Sequence, residues 1–245
     1  MIFIANFKMM ITAIDAINLV STNLSGYTKL AQRHTIVLCP PATALCGAKK
    51  SLQESGVAVG GQTCGPARTG AFTGDISPAD LAACGATHCL VGHSERRALY
   101  QETDALVAIK AKLLLEEGIT PVVCIGETLA EYEAGETMQI LERQLTLVLK
   151  VVGTAKKLFL IAYEPRWAIG TGLTPTSEQL NIIFAGLKEI TGTAAPSWSF
   201  KLLYGGSVSS KTMPALATVS PLDGFLIGGA SLDFQEFQKI VDYFC

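Results

Sequence analysis

Residues able to do chemistry stand directly after apolar runs in this sequence. Asn6 and Lys8 close IFIANFK, and His93 and Glu95 lie in VGHSERR. Cys124 and Glu127 lie in VCIGET, Glu164 and Trp167 in YEPRWAIGTG, Ser207 in YGGSV, and Gly228 with Gly229 in IGGAS. A carboxylate ending an apolar segment is partly desolvated, which suits it to proton abstraction. Glu164 is therefore the candidate base. A histidine at the start of a helix tends to stay neutral, so His93 in front of SERR is read as an N–H donor. Lys8 sits in an apolar stretch and needs a partner, either Glu95 or an anionic substrate. The glycine turns GGS at 205–207 and GG at 228–229 offer free backbone N–H groups suited to a phosphate. AIGTG at 168–172, beside Trp167, reads as a lid with a further N–H at Gly170. Together these groups suit removal of a proton beside a carbonyl, with His93 and Lys8 stabilising the developing oxyanion. A closed lid would exclude water.

Such groups converge only if the elements carrying them share one end. Short β-branched runs occur at Ile2–Phe7, Thr35–Cys39, Val57–Gln62, Thr87–Val91, Ile119–Ile125, Leu158–Tyr163, Phe200–Tyr204 and Gly224–Ile227. Most are apolar on consecutive residues, the pattern of strands covered on both faces. Helical stretches separate them, around 11–24, 42–54, 77–83, 103–117, 128–151, 176–190, 209–218 and 233–243, with Thr103 and Ser177 as expected starts. Eight strand–helix units in a chain of 245 residues predict an α/β fold: a single-domain (βα)8 barrel of eight parallel strands over 1–245, with its site at the C-terminal strand ends. An open dinucleotide-type sheet is disfavoured, because the turn after the first strand, NFKMMI, has no glycine.

Composition agrees. Charged residues make up 16% and the formal net charge is −2, against roughly 25% charged in an average domain. Mean hydropathy is +0.37 and the pI about 5.9. The apolar content excludes a disordered chain, the acidic balance disfavours nucleic acid, and no run is long enough for a membrane span. No secretory signal is recognisable, and the seven cysteines form no CxxC pair. A cytoplasmic protein with mostly reduced, buried thiols and no metal site is expected.

The motifs ANFK, GAFTGDIS, VGHSERR, VCIGET, AYEPRWAIGTG, LLYGGSV and GFLIGGASL, in this order, closely resemble the triosephosphate isomerase family. The resemblance implies a TIM barrel that interconverts dihydroxyacetone phosphate and glyceraldehyde 3-phosphate with no metal or organic cofactor. It implies that Asn6 and Lys8 bind substrate, His93 is the electrophile and Glu164 the base. It also implies that Gly170, Ser207, Gly228 and Gly229 hold the phosphate, with Glu95, Cys124, Glu127 and Trp167 in support. The resemblance implies as well that His93 works as a neutral imidazole beside a glutamate base. The resemblance further implies a homodimer in which the long loop 61–75 enters the neighbouring subunit beside Lys8. Four residues depart from the family's usual pattern: Phe7, Thr63, Arg166 in the first lid hinge, and Pro175 in the second. A cation at Arg166 would weaken a nearby base, and proline stiffens a hinge. The competing readings are a Schiff-base aldolase using Lys8, and a non-catalytic or altered-activity phosphate-binding relative.

Overall fold

The computed structural model describes residues 1–152, 158–169, 173–194 and 199–244. Each expected strand is present, within one residue at either end: β1 (Ile2–Asn6), β2 (Thr35–Cys39), β3 (Ala58–Gly61), β4 (His88–Val91), β5 (Thr120–Ile125), β6 (Leu158–Tyr163), β7 (Ser199–Tyr204) and β8 (Gly224–Ile227). They pair in sequence order and close, β8 against β1, into a parallel barrel. Alternate residues of each strand point inward. Ile4, Val37, Leu90, Val122, Leu160 and Leu203 fill the interior as one cluster. The opposite strand faces, with Phe3, Leu38, Val91, Val123 and Ile161, join the core beneath the helices. Both strand faces are thus covered, which is why the runs are continuously apolar and charge is scarce.

The helices are α1 (Ala13–Thr22), α2 (Leu24–Ala31), α3 (Leu45–Ser51), α4 (Pro78–Ala83), α5 (Ser94–Leu99), α6 (Asp104–Glu116), α7 (Leu129–Glu133), α8 (Thr137–Val152), α9 (Ser177–Ala194), α10 (Met213–Leu216) and α11 (Phe234–Asp242). Three differ from expectation. The stretch 128–151 is two helices, because Gly135 adopts φ 74° and ends α7 in the left-handed conformation that glycine favours. Helices α2 and α5 are additional. Thr103 caps α6 through the Leu106 N–H, 3.2 Å away. Helix α9 starts at Ser177 as expected, and the Oγ1 of the preceding Thr176 accepts from the Gln179 N–H at 3.3 Å.

Most of the described cysteines are thiols, and one pair is not. Cys39, Cys64, Cys89 and Cys124 are free and buried, but Cys46 on α3 and Cys84 after α4 are disulfide-bonded, their Cα atoms 4.8 Å apart. Neighbouring strand–helix units bring them together across 38 sequence positions, a proximity that spacing alone does not reveal. Cys245 lies outside the described residues. No described helix is long and apolar enough to cross a membrane, and the described residues contain no His/Cys/Asp/Glu cluster fit for a metal.

His88 stands two residues before Leu90, on the inward face of β4. Burial pushes its imidazole down to about 4. The unfolded chain, with an ordinary pKa near 6.5, takes up the proton first, so stability is complete above pH ~6.5 and is lost as pH falls towards 4. Between pH 7 and 5 this amounts to about 2 kcal/mol, or roughly 5 °C in the thermal midpoint. In His88→Leu that drop should shrink by about this amount in scanning calorimetry. An unchanged drop would mean that His88 does not carry it.

Candidate active site

The strand ends deliver the predicted residues to one cavity of about 500 Å³, lined by Asn6, Lys8, His93, Glu164, Gly205, Ser207, Gly228 and Gly229. Gly170 lies outside the described residues, as do the two positions after it.

The first strand delivers a turn rather than a straight exit. Lys8 adopts φ 51°, a conformation that L-residues adopt only when their surroundings impose it. The Asn6 side chain accepts from the Lys8 N–H at 3.0 Å, and Gln62 Nε2 donates to Lys8 O at 2.8 Å. So held, the ammonium reaches Glu95 and forms an ion pair. Of the two partners foreseen for Lys8, Glu95 is the one present. The Lys8 stem also crosses Gly228, where an added Cβ would lie 3.2 Å from Cε.

His93 caps α5. Its Nδ1 accepts from the Glu95 N–H at 3.3 Å, so the ring's other nitrogen carries the proton. That nitrogen, Nε2, lies 3.2 Å from Glu164 Oε1. Glu164 Oε2 accepts from the Ser94 N–H at 2.8 Å, and the residue is only 2% exposed. The carboxylate is thus dry, and the donors holding it come from the helix start that also orients His93. Its backbone is fixed by the sheet, where the Glu164 N–H donates to Ile125 O at 2.8 Å. Its side chain lies against Gly205, where a Cβ would stand 2.9 Å from Glu164 Cγ. The glycine after β7 therefore makes room for the Glu164 side chain as well as offering an N–H.

The supporting residues divide by location. Glu127 is fully buried and accepts from Tyr163 OH at 3.0 Å and Trp167 Nε1 at 2.9 Å. It ties the 3-10 turn Arg166–Ala168, the first hinge of the expected lid, to the barrel. Arg166 is half-buried, and its N–H donates to Glu127 O at 3.1 Å. Pro175, in the second hinge, is buried. Ser207 Oγ donates to Ala168 O at 2.7 Å, so this cavity-lining hydroxyl also contacts the hinge. Burial first, and then the Glu164 charge, push the Cys124 thiol well above its usual range. It stays a protonated neighbour of Glu164.

Sequence reasoning missed the layer behind the site. Arg97 donates to Gly92 O at 2.8 Å and to Asp104 at 2.6 Å. Glu102 and Lys110 are both buried and paired at 3.1 Å. The available signal was charge on the inward stripe of a helix, since Lys110 lies between Val107 and Leu114 of α6.

A closed parallel barrel with a carboxylate, an imidazole, an ammonium and glycine turns at its C-terminal mouth defines a barrel enzyme of the proton-transfer class. Comparison with known proteins narrows the class. The sequence profile of triosephosphate isomerase matches residues 1–244. The triosephosphate isomerase of Chelativorans sp. (strain BNC1) is 47% identical over 206 residues, covering 83% of this chain and 81% of that protein. The one from Bradyrhizobium diazoefficiens is 43% identical over 219 residues, covering 89% and 87%. The chain belongs to the triosephosphate isomerase family.

Proposed function

We propose that this chain is an aldose–ketose isomerase interconverting dihydroxyacetone phosphate and glyceraldehyde 3-phosphate, with Glu164 as the base. The observation that supports it most is the pairing of a dry Glu164 carboxylate with the protonated nitrogen of His93, 3.2 Å away, inside a cavity that also holds Lys8 and the glycine turns. Glu164 takes a proton from the hydroxyl-bearing carbon of the bound triose and returns it to the neighbouring carbon, while the hydroxyl proton passes from that carbon's oxygen to the former carbonyl oxygen. No group is gained or lost. His93 Nε2–H, Asn6 and the Lys8 ammonium face the oxygen on which negative charge develops, where fixed donors act strongly because water is excluded. The N–H groups at Gly228 and Gly229, the Ser207 hydroxyl and Gly170 of the lid hold the phosphate. Glu95 places Lys8, while Glu127 and Trp167 set the hinge. The reading requires no metal or organic cofactor.

One domain spans 1–245 in this reading, and two copies associate. Met9 (96% exposed), Leu99 (74%) and Tyr100 (65%) gather around a cleft that also borders Lys8 and Thr63. Exposed apolar side chains so placed mark an interaction surface, and the loop 61–75 of a second copy fits the occupant. A cytoplasmic setting suits the four free, buried thiols. A coupled assay with glyceraldehyde 3-phosphate tests the activity, and an inactive, folded protein that still binds phosphate would make it a non-catalytic relative. Sedimentation should show a dimer whose activity falls on dilution. A fully active monomer would refute the assembly.

A further inference from the structure

We propose that Gln144, on α8, is a positioning residue for both the base and the first lid hinge, acting through the backbone of Gly126. The proposal rests on the reading of Glu164 as the base.

Gln144 is 4% exposed and stands on the buried face of α8, one turn from Leu141 and Val148. Its Oε1 accepts from the Gly126 N–H at 2.9 Å, and its Nε2 donates to Gly126 O at 3.2 Å. One side-chain amide thus satisfies both polar groups of one residue. A buried amide left without partners is costly, so this pairing fixes where Gly126 sits against α8.

Gly126 is in turn pressed onto the base. A Cβ there would lie 1.8 Å from the Glu164 carbonyl oxygen, so the two backbones are in direct contact. The residues on either side of Gly126 carry the rest of the site. Ile125 O accepts from the Glu164 N–H at 2.8 Å, and Glu127 O from the Arg166 N–H at 3.1 Å. The Glu127 carboxylate accepts from Trp167 at 2.9 Å. Residues 125–127 are therefore the template on which 164–167 hang, and Gln144 ties the middle of that template to the helix layer. A displacement of about 1 Å at a reacting group can cost about 10²-fold in rate.

The test compares wild type with Gln144→Met, which keeps length and volume but not the hydrogen bonds, and Gln144→Glu, which keeps only the acceptor. Thr191→Val serves as a control, since it removes a buried hydroxyl that donates to Lys188 O on α9 at 3.0 Å. Gln144→Met should lose about 10- to 100-fold in kcat, with KM and the inhibition constant of inorganic phosphate within about twofold of wild type. Gln144→Glu should fall between the two. Thr191→Val should melt earlier yet keep its kcat. A kcat within twofold of wild type in folded Gln144→Met overturns the proposal. So does weakening of phosphate inhibition in step with the loss of kcat, because that signals general loosening. If Gln144→Met does not fold, the same two criteria apply to Gln144→Glu. An inactive wild type overturns the parent reading and this proposal together; an active wild type with an indifferent Gln144 overturns this proposal alone.

Discussion

Glu164→Gln should reduce kcat by about 10³-fold, within the range of 10² to 10⁴ that a positioned acid–base group contributes, while the protein stays folded. Glutamine keeps the shape. Its carbonyl can still accept from the Ser94 N–H, which now lies 2.8 Å from the carboxylate, and the side chain still fits against Gly205. The amide cannot take a proton from carbon, so the loss is chemical. KM should move by less than about threefold, because the phosphate seat proposed above lies on the turns after β7 and β8. Glu164→Asp separates placement from charge. It retains a carboxylate but withdraws it by one methylene from a position set by two backbone contacts, and a 1 Å misplacement can cost about 10²-fold. Aspartate should therefore be impaired, but less than glutamine. The measurement is the coupled assay, run beside circular dichroism to establish folding. A glutamine variant retaining more than about a tenth of wild-type kcat would show that another group moves the proton.

The reason Glu164, His93 and Lys8 were legible in the sequence is geometric. A parallel barrel sends every strand's C-terminal end to one mouth, so any polar residue just past an apolar run points there. The same rule located Asn6, Ser207 and Gly228, all of which line the cavity. It could not reach Gln144 or Lys110, which act from helices at places set by how α8 and α6 pack on the sheet. Each does leave a trace, a polar residue inside an apolar stripe: Gln144 beside Leu141 and Leu145, Lys110 beside Val107 and Leu114. A stripe shows that such a residue is buried without showing what it meets. The Gly126 peptide and the Glu102 carboxylate come from other segments, and only the fold brings them near. Cys46 and Cys84 were illegible for the same reason.

Glu102→Ala should destabilise the protein by about 3 to 5 kcal/mol, the cost of breaking a buried ion pair from one side, and lower the thermal midpoint by about 10 °C. Glu102 is 3% exposed and Lys110 likewise 3%. The Glu102 Oε1 accepts from the Gly92 N–H at 3.0 Å, and Oε2 accepts from Arg96 Nε at 2.6 Å and Lys110 Nζ at 3.1 Å. Alanine strands the ammonium in the core and leaves the Gly92 N–H unpaired. Burial pushes the Glu102 carboxyl up, but Lys110 and the hydrogen bonds from Arg96 and Gly92 outweigh it and hold the group below its ordinary value. The carboxylate's contribution is therefore complete above the ordinary range, near pH 4.3, and is lost as pH falls through the lower folded value. Glu102→Gln, which keeps the shape without the charge, should be less stable than wild type at pH 7 and approach it in acid. Function should follow position. Gly92 directly precedes His93, and the Arg96 guanidinium, 4.7 Å over the Tyr100 ring, reaches the exposed apolar cleft assigned to the second copy. Losing Glu102 should consequently weaken association, seen as activity that falls at higher protein concentrations than in wild type. Calorimetry across pH and activity across dilution check the two halves separately. Equal stability of wild type and Glu102→Gln at pH 7 would mean that the buried charge pair adds nothing over a neutral hydrogen-bonded network, and that Lys110 is held by other groups.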